Sequence, residues 1–246
     1  MNRVLVWFSC GAASAVAADK AIKKYGNSVE VIYCDTLKYE HPDNIRFLHD
    51  VESMIGQKIK ILKSTEYEDI YDVFNKTRWL VGPQGARCTT EMKKKVRFAY
   101  QKPDDIHVFG YTADEHKRIV KFGENNPELK TDWILWFENI TKRMCYQYLK
   151  DSGIELPAMY KLGYKNNNCI GCVKGGAGYW NKIRKDFPEM FEKMAKTERE
   201  LNVAINKKMV DGVRTKIFLD ELPINMGNYK IEKDIECGVH CAGDNS

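Results

Sequence analysis

No apolar run in this 246-residue chain approaches the roughly 20 residues that a helix needs to cross a bilayer, so a membrane span is excluded as its organising feature. No internal repeat recurs and no segment is of low complexity, which sets solenoids and disordered tails aside and favours one cooperative unit. Charge of one sign is not in strong excess. The 39 Lys and Arg against 34 Asp and Glu leave +5, a bias that suits an anionic small molecule or a nucleic acid but demands neither. A secretory leader is missing as well: the first residues feed straight into an apolar segment, so the chain reads as cytoplasmic. In that compartment its eight cysteines argue for metal or thiol chemistry over structural disulfides.

What is present starts at Val4. Residues 4–8 are short, apolar, β-branched and aromatic, the composition of a parallel strand covered on both faces. Good helix formers follow from Ala12. The elbow between them, Ser9-Cys10-Gly11-Ala12-Ala13-Ser14, has no bulk to obstruct an anion, and the helix start aims N–H groups and the positive end of a dipole at it. The alternative is an ordinary small-residue turn. No Gly-Lys-Ser/Thr follows, which excludes a Walker A loop, and the dinucleotide Gly-x-Gly-x-x-Gly pattern is missing too.

The elbow resembles the Ser-Gly-Gly-x-x-Ser loop of the adenine nucleotide α-hydrolase (PP-loop) superfamily, with Ser9, Gly11 and Ser14 matching and Cys10 in place of the first glycine. Val29–Cys34 reads as a second strand ending in Asp35-Thr36. This pair resembles the superfamily's Asp-Thr-Gly beside the adenosine, and equally suits a turn or cap. Further strands and helices alternate through Ile55, Leu62 and Phe74. The expected fold is therefore α/β, a Rossmann-like doubly wound and mainly parallel sheet with a C-terminal helical, cysteine-containing region. Residues 1–140 form the expected nucleotide core and 141–246 the part that completes the site.

Arg87-Cys88-Thr89 opens a helix bearing Lys93, Lys94, Lys95 and Arg97, and a cysteine at a helix start beside cations suits a metal ligand or a nucleophile. Arg-Cys-Thr-x-x-x-Lys resembles the cluster-cysteine segment of iron–sulfur assimilatory reductases and DNA phosphorothioation enzymes. Gly110, Glu115 and Arg118 resemble the family's Gly-x-Arg-x-x-Glu-x-x-Arg, in which arginines hold phosphate or sulfate, with Thr112 replacing the first arginine. Cys169-Ile-Gly-Cys172 is a glycine-rich Cys-x-x-Cys knuckle that can present two thiolates to one metal. Cys145, on a helix leading to the knuckle, is the expected fourth ligand beside Cys88, Cys169 and Cys172, with Cys237 and Cys241 competing. Zinc would need the same soft ligands; the resemblance favours a 4Fe-4S cluster.

Residues 179–204 read as helical with a break at Pro188, and 216–222 as a short strand or packing segment. The tail Glu236-Cys237-Gly238-Val239-His240-Cys241 resembles the Glu-Cys-Gly-Leu-His end of assimilatory sulfonucleotide reductases. That resemblance makes Cys237 the nucleophile toward a sulfonucleotide, with His240 supporting its thiolate.

The ordered set of motifs resembles the phosphoadenosine phosphosulfate (PAPS) reductase family. It implies an enzyme in which Ser9 to Ser14 and Arg118 hold the anionic part of PAPS, APS or ATP, and Asp35, Thr36 and Gly110 lie by the nucleotide. A thioredoxin-like dithiol would be the electron donor, and a homo-oligomer is compatible. Two other readings stand beside it. One is an ATP-dependent sulfurtransferase that thiolates nucleic acid; the other is a metal-knuckle nucleic-acid binder using Lys93 to Arg97.

Overall fold

The computed structural model describes residues 2–83, 85–235 and 237. Its centre is a five-stranded parallel sheet built from β1 (Val4–Phe8), β2 (Val29–Cys34), β3 (Lys60–Leu62), β4 (Ile106–Phe109) and β5 (Lys130–Asp132), in the order β3-β2-β1-β4-β5. All five residues of β1 are buried, and alternation sends them to opposite faces. Val4, Val6 and Phe8 join one hydrophobic layer; Leu5 and Trp7 join the other.

The first layer is completed by α1 (Ala12–Tyr25), α2 (Asp43–Ile55) and α6 (Lys142–Asp151). The second is covered by α4, a helical run over residues 87–100, and α5 (His116–Asn125). Helix ends follow local chemistry. Gly56, at φ +70, stops α2, and the Thr141 hydroxyl accepts the Met144 N–H to start α6.

A third core gathers α3 (Ile70–Thr77), α7 (Ala177–Asp186) and α8 (Pro188–Leu201) around Trp180, and the Cys169–Cys172 knuckle belongs to it. Pro188 begins α8, where its missing N–H costs no helical bond. Beyond α8 an antiparallel hairpin, β6 (Asn206–Val210) and β7 (Val213–Ile217), projects from this core. The expected strand or packing segment at 216–222 is thus the end of β7 and a 3₁₀ turn, Leu219–Glu221. Among the described residues no helix is long and apolar enough to cross a membrane.

In this strand order β1 lies between β2 and β4, so the chain winds outward one way through β2 and β3 and the other way through β4 and β5. The carboxyl ends of β1 and β4 then border a crevice at the topological switch point, where open α/β sheets bind ligands.

Candidate functional site

The elbow lies at that crevice. Cys10 adopts φ +54, a left-handed conformation that favours glycine, at the position where the resembling loop has one. Ser14 orders the turn: its Oγ accepts the Ser9 N–H at 3.1 Å and donates to the Gly11 carbonyl at 2.9 Å. No side chain caps α1 and its first turn carries no acid, which leaves the dipole's positive end to a ligand. The Tyr160 hydroxyl accepts the Ala12 and Asn167 N–H groups, so part of the cradle is already engaged. Gly110 is required by close approach. A Cβ there would stand 2.6 Å from the Ser14 nitrogen.

Elbow and β4 open onto a cavity of about 640 Å³, bordered also by Arg118, Lys142, the Asn166–Asn168 run and Cys237. This size accommodates a nucleotide. The three asparagines connect its two walls. Asn167 Nδ2 donates to the Cys10 carbonyl at 2.7 Å and to Asn44 at 2.8 Å, while its own Oδ1 has no partner among the described residues. Asn166 and Asn168 both donate to the Ile235 carbonyl, at 3.2 and 2.9 Å. Farther back, Glu232 accepts the Gly178 and Tyr179 N–H groups at 2.6 and 3.0 Å, capping α7 with the tail's own carboxylate. These bonds deliver Cys237 to the cavity wall. Sequence reasoning passed over the asparagine run, whose only signal was three identical amides ahead of the knuckle.

Cys237 also faces the other thiols. Its charge acts on Cys88, Cys169 and Cys172, and these three belong to or pack against the third core. Tyr179 holds the knuckle: its hydroxyl accepts the Gly171 and Cys172 N–H groups at 3.1 and 3.0 Å. Residues Thr90–Lys94 form a π-helical turn in α4, a widening that recurs at functional sites. In this run Thr89 and Lys93 face the tail: Thr89 Oγ1 and Lys93 Nζ each lie 3.7 Å from Cys237 Sγ. Burial pushes the Cys172 thiol up to about 12 and raises those of Cys88 and Cys169. Burial alone would raise Cys237 too, but Lys93, Lys174 and the Thr89 hydroxyl outweigh it and hold this thiol below its ordinary value. One low-pKa thiol thus sits among three held neutral.

The sequence profile of the phosphoadenosine phosphosulfate reductase domain matches residues 3–177, well over half of the chain. The chain belongs to the PAPS reductase family. Its fold is similar to that of the phosphoadenylyl-sulfate reductase of Candida auris, solved as a phosphate complex. The TM-score is 0.52 at 17% identity, over 69% of this chain and 82% of that one. An uncharacterized protein of Methanocaldococcus jannaschii, MJ0066, is 24% identical over 210 residues, 80% of this chain; the chain spans 42% of that protein's length.

Within this PAPS reductase family chain the expected site residues separate. Ser9, Gly11, Ala13, Ser14, Gly110 and Arg118 border the cavity, as does Cys237. Arg118 pairs with Glu115 and stacks 4.7 Å from the Tyr111 ring centroid. Thr112, in place of the family's arginine, forms a capping box with Glu115. Asp35 and Thr36 do not border the cavity: Asp35 accepts the Leu37 N–H, and buried Thr36 donates to Glu40 at 2.6 Å.

Cys145, expected as fourth ligand, is not brought to the other thiols. Its side of α6 packs against α1 in the first layer, fully buried. Lys93 and Arg97, expected on a basic face, are buried, and Lys95 pairs with Glu91 at 2.7 Å and Glu66 at 3.3 Å. His240 and Cys241 lie outside the described residues. Among the described residues no three His, Cys, Asp or Glu side chains are gathered as a metal-holding set.

Proposed function

We propose that this chain is an enzyme that binds an adenine sulfonucleotide in the 640 Å³ cavity and attacks it with Cys237. The observation that carries the reading is that the thiol with the lowered pKa borders the same cavity as the anion elbow. The first turn of α1 and Arg118 hold the phosphates, and Lys93 and Lys174 keep Cys237 as thiolate. Its sulfur attacks the sulfonate sulfur. A sulfur–sulfur bond forms as the bond to the bridging phosphate oxygen breaks, and that electron pair leaves with the nucleotide. An external dithiol of thioredoxin type then attacks the Cys237 sulfur, becomes a disulfide and releases sulfite, returning Cys237 as a thiol.

Cys88, Cys169 and Cys172 have the soft donor chemistry of an iron–sulfur cluster, with zinc the alternative, although the described side chains are not drawn together as a metal-holding set. Cys88, Cys169 and Cys172 would hold it, and when bound it supplies a polarising, redox-capable centre beside the cavity.

A second reading, ATP-dependent delivery of sulfur to a nucleic acid, is favoured by Thr112. With its hydroxyl and N–H committed to Glu115, the family's first anion-binding arginine has no counterpart there. The test is anaerobic purification with metal analysis, then turnover of PAPS, APS and ATP by wild type and Cys237→Ser. A reductase yields sulfite, and the variant loses turnover while keeping nucleotide affinity and metal. Unchanged turnover removes the nucleophile; AMP from ATP without sulfite supports the second reading.

A further inference from the structure

The hairpin β6–β7 takes no part in the nucleotide cavity, yet it is built as a rigid, charged arm. Its feet are fixed. Asn206 and Ile217 pair across the strands and are buried, and the Glu198 carboxylate on α8 accepts the Ile205 and Leu219 N–H groups, both at 2.6 Å. Its tip is a two-residue turn, Asp211-Gly212, with φ +50 and +78, the left-handed pair that lets a tight hairpin keep its twist.

Between feet and tip every residue is exposed. The register sets Lys207 opposite Lys216 and Met209 opposite Arg214, so three cations share one face, and Lys208 lies on the other. Like charges directly opposite one another destabilise a ladder. Among the described residues none of these four cations has a carboxylate partner, and the hairpin's one acid is Asp211 at the turn. Such an arrangement gains stability from an external polyanion.

We propose that this hairpin docks the protein on double-stranded DNA, with the ribbon in the major groove and its basic face along the phosphates. A two-stranded ribbon is a shape that the major groove admits. Arg214 and Lys216, two residues apart along one strand, stand about 6.6 Å apart, a separation at which two cations reach neighbouring phosphates of one duplex strand. Val210 and Val213, 41% and 64% exposed and paired on the opposite face, provide apolar contacts for base edges such as the thymine methyl. The inference does not rest on the sulfonucleotide reading, because docking needs neither Cys237 nor bound nucleotide.

The test is fluorescence anisotropy of the full chain with a short labelled DNA duplex, without nucleotide, over about 50 to 200 mM salt. Wild type is expected to bind with a steep salt dependence. Lys207→Gln/Arg214→Gln/Lys216→Gln should lose at least about tenfold in affinity and flatten the log–log salt slope by two to three, about 0.9 per cation. The variant leaves both feet intact, and an unchanged circular dichroism melt checks its fold. Lys207→Arg/Lys216→Arg keeps the charges and should keep the wild-type slope, which separates charge from a folding defect. Absence of duplex binding at the lowest salt, equal binding by the triple variant, or preference for a single strand or an acidic protein would each overturn the proposal.

Discussion

The two walls of the cavity are made in different ways. The elbow is six consecutive residues between one strand and one helix, whereas the opposite wall is made by the Asn166–Asn168 run and Cys237, with Cys88 and the Cys169–Cys172 knuckle behind Cys237, so it draws on three distant segments. A local wall inherits its geometry from backbone preference: β1 must end, α1 must begin, and the turn exposes N–H groups as a consequence. A non-local wall exists only when every segment that carries it has docked. Damage to the first should therefore weaken nucleotide binding, and damage to the second should abolish chemistry while binding survives.

The largest effect expected is from Cys237→Ser. Turnover should fall by about 10⁴-fold or more, the scale at which loss of an attacking group registers, while calorimetry finds nucleotide affinity within about threefold, less than 1 kcal/mol. An equal fall in both would mean that the two walls are not separable.

Gly110→Ala breaks the local wall. Its Cβ meets backbone, Ser14 nitrogen at 2.6 Å and Ser14 Cα at 2.8 Å, so relief requires moving the start of α1. A loss of about 1–3 kcal/mol in urea unfolding is expected, together with weaker nucleotide binding. A variant with wild-type affinity would show that the α1 N-terminus does not hold the ligand.

Asn166→Ala/Asn168→Ala loosens the non-local wall without touching a thiol. Each side chain donates one bond to the Ile235 carbonyl, worth about 1 kcal/mol. Turnover should fall about tenfold, equivalent to about 1.4 kcal/mol, with affinity little changed. Iodoacetamide labelling of Cys237 reads tail docking independently, and labelling at the wild-type rate would dismiss the clamp.

The same division explains what was legible in the sequence. The elbow, the parallel character of the sheet and Gly110 could be read because residues 4–14 and 106–118 encode them locally, by apolar runs that stop at small residues. Cys88, Cys169 and Cys172 could be singled out as candidate thiols by their local setting. Which thiol joins them was not, because Cys145 is near the knuckle in sequence but sits on the side of α6 that α1 covers. The lysine run misled for a related reason: helix periodicity does not reveal a π-turn, and Lys93 and Arg97 point inward. Asp211-Gly212 was a turn signal in plain view. It went unread because the strands beside it are too polar to announce themselves.

Two buried titratable groups, one under the elbow and one at the feet of the hairpin, should bend stability against pH in opposite senses. Under the elbow, His107 on β4 accepts the Trp7 indole N–H at 3.0 Å; burial, with Arg97 nearby, pushes the imidazole down to about 4. As pH falls below 6.5 the unfolded chain takes up a proton that the folded chain refuses, so stability drops between 6.5 and about 4. On the hairpin side, burial lifts the Glu198 carboxyl to about 7 despite its two N–H donors. Its contribution is full below 4.5, where both states are protonated, and is lost as pH rises to about 7. Each arm should be on the order of 3 kcal/mol. In urea unfolding across this range, His107→Asn should flatten the acid arm alone and Glu198→Gln the neutral arm alone. If either variant left its arm unchanged, that group would titrate alike in the folded and unfolded chain, and the opposition between the two regions would not extend to their proton chemistry.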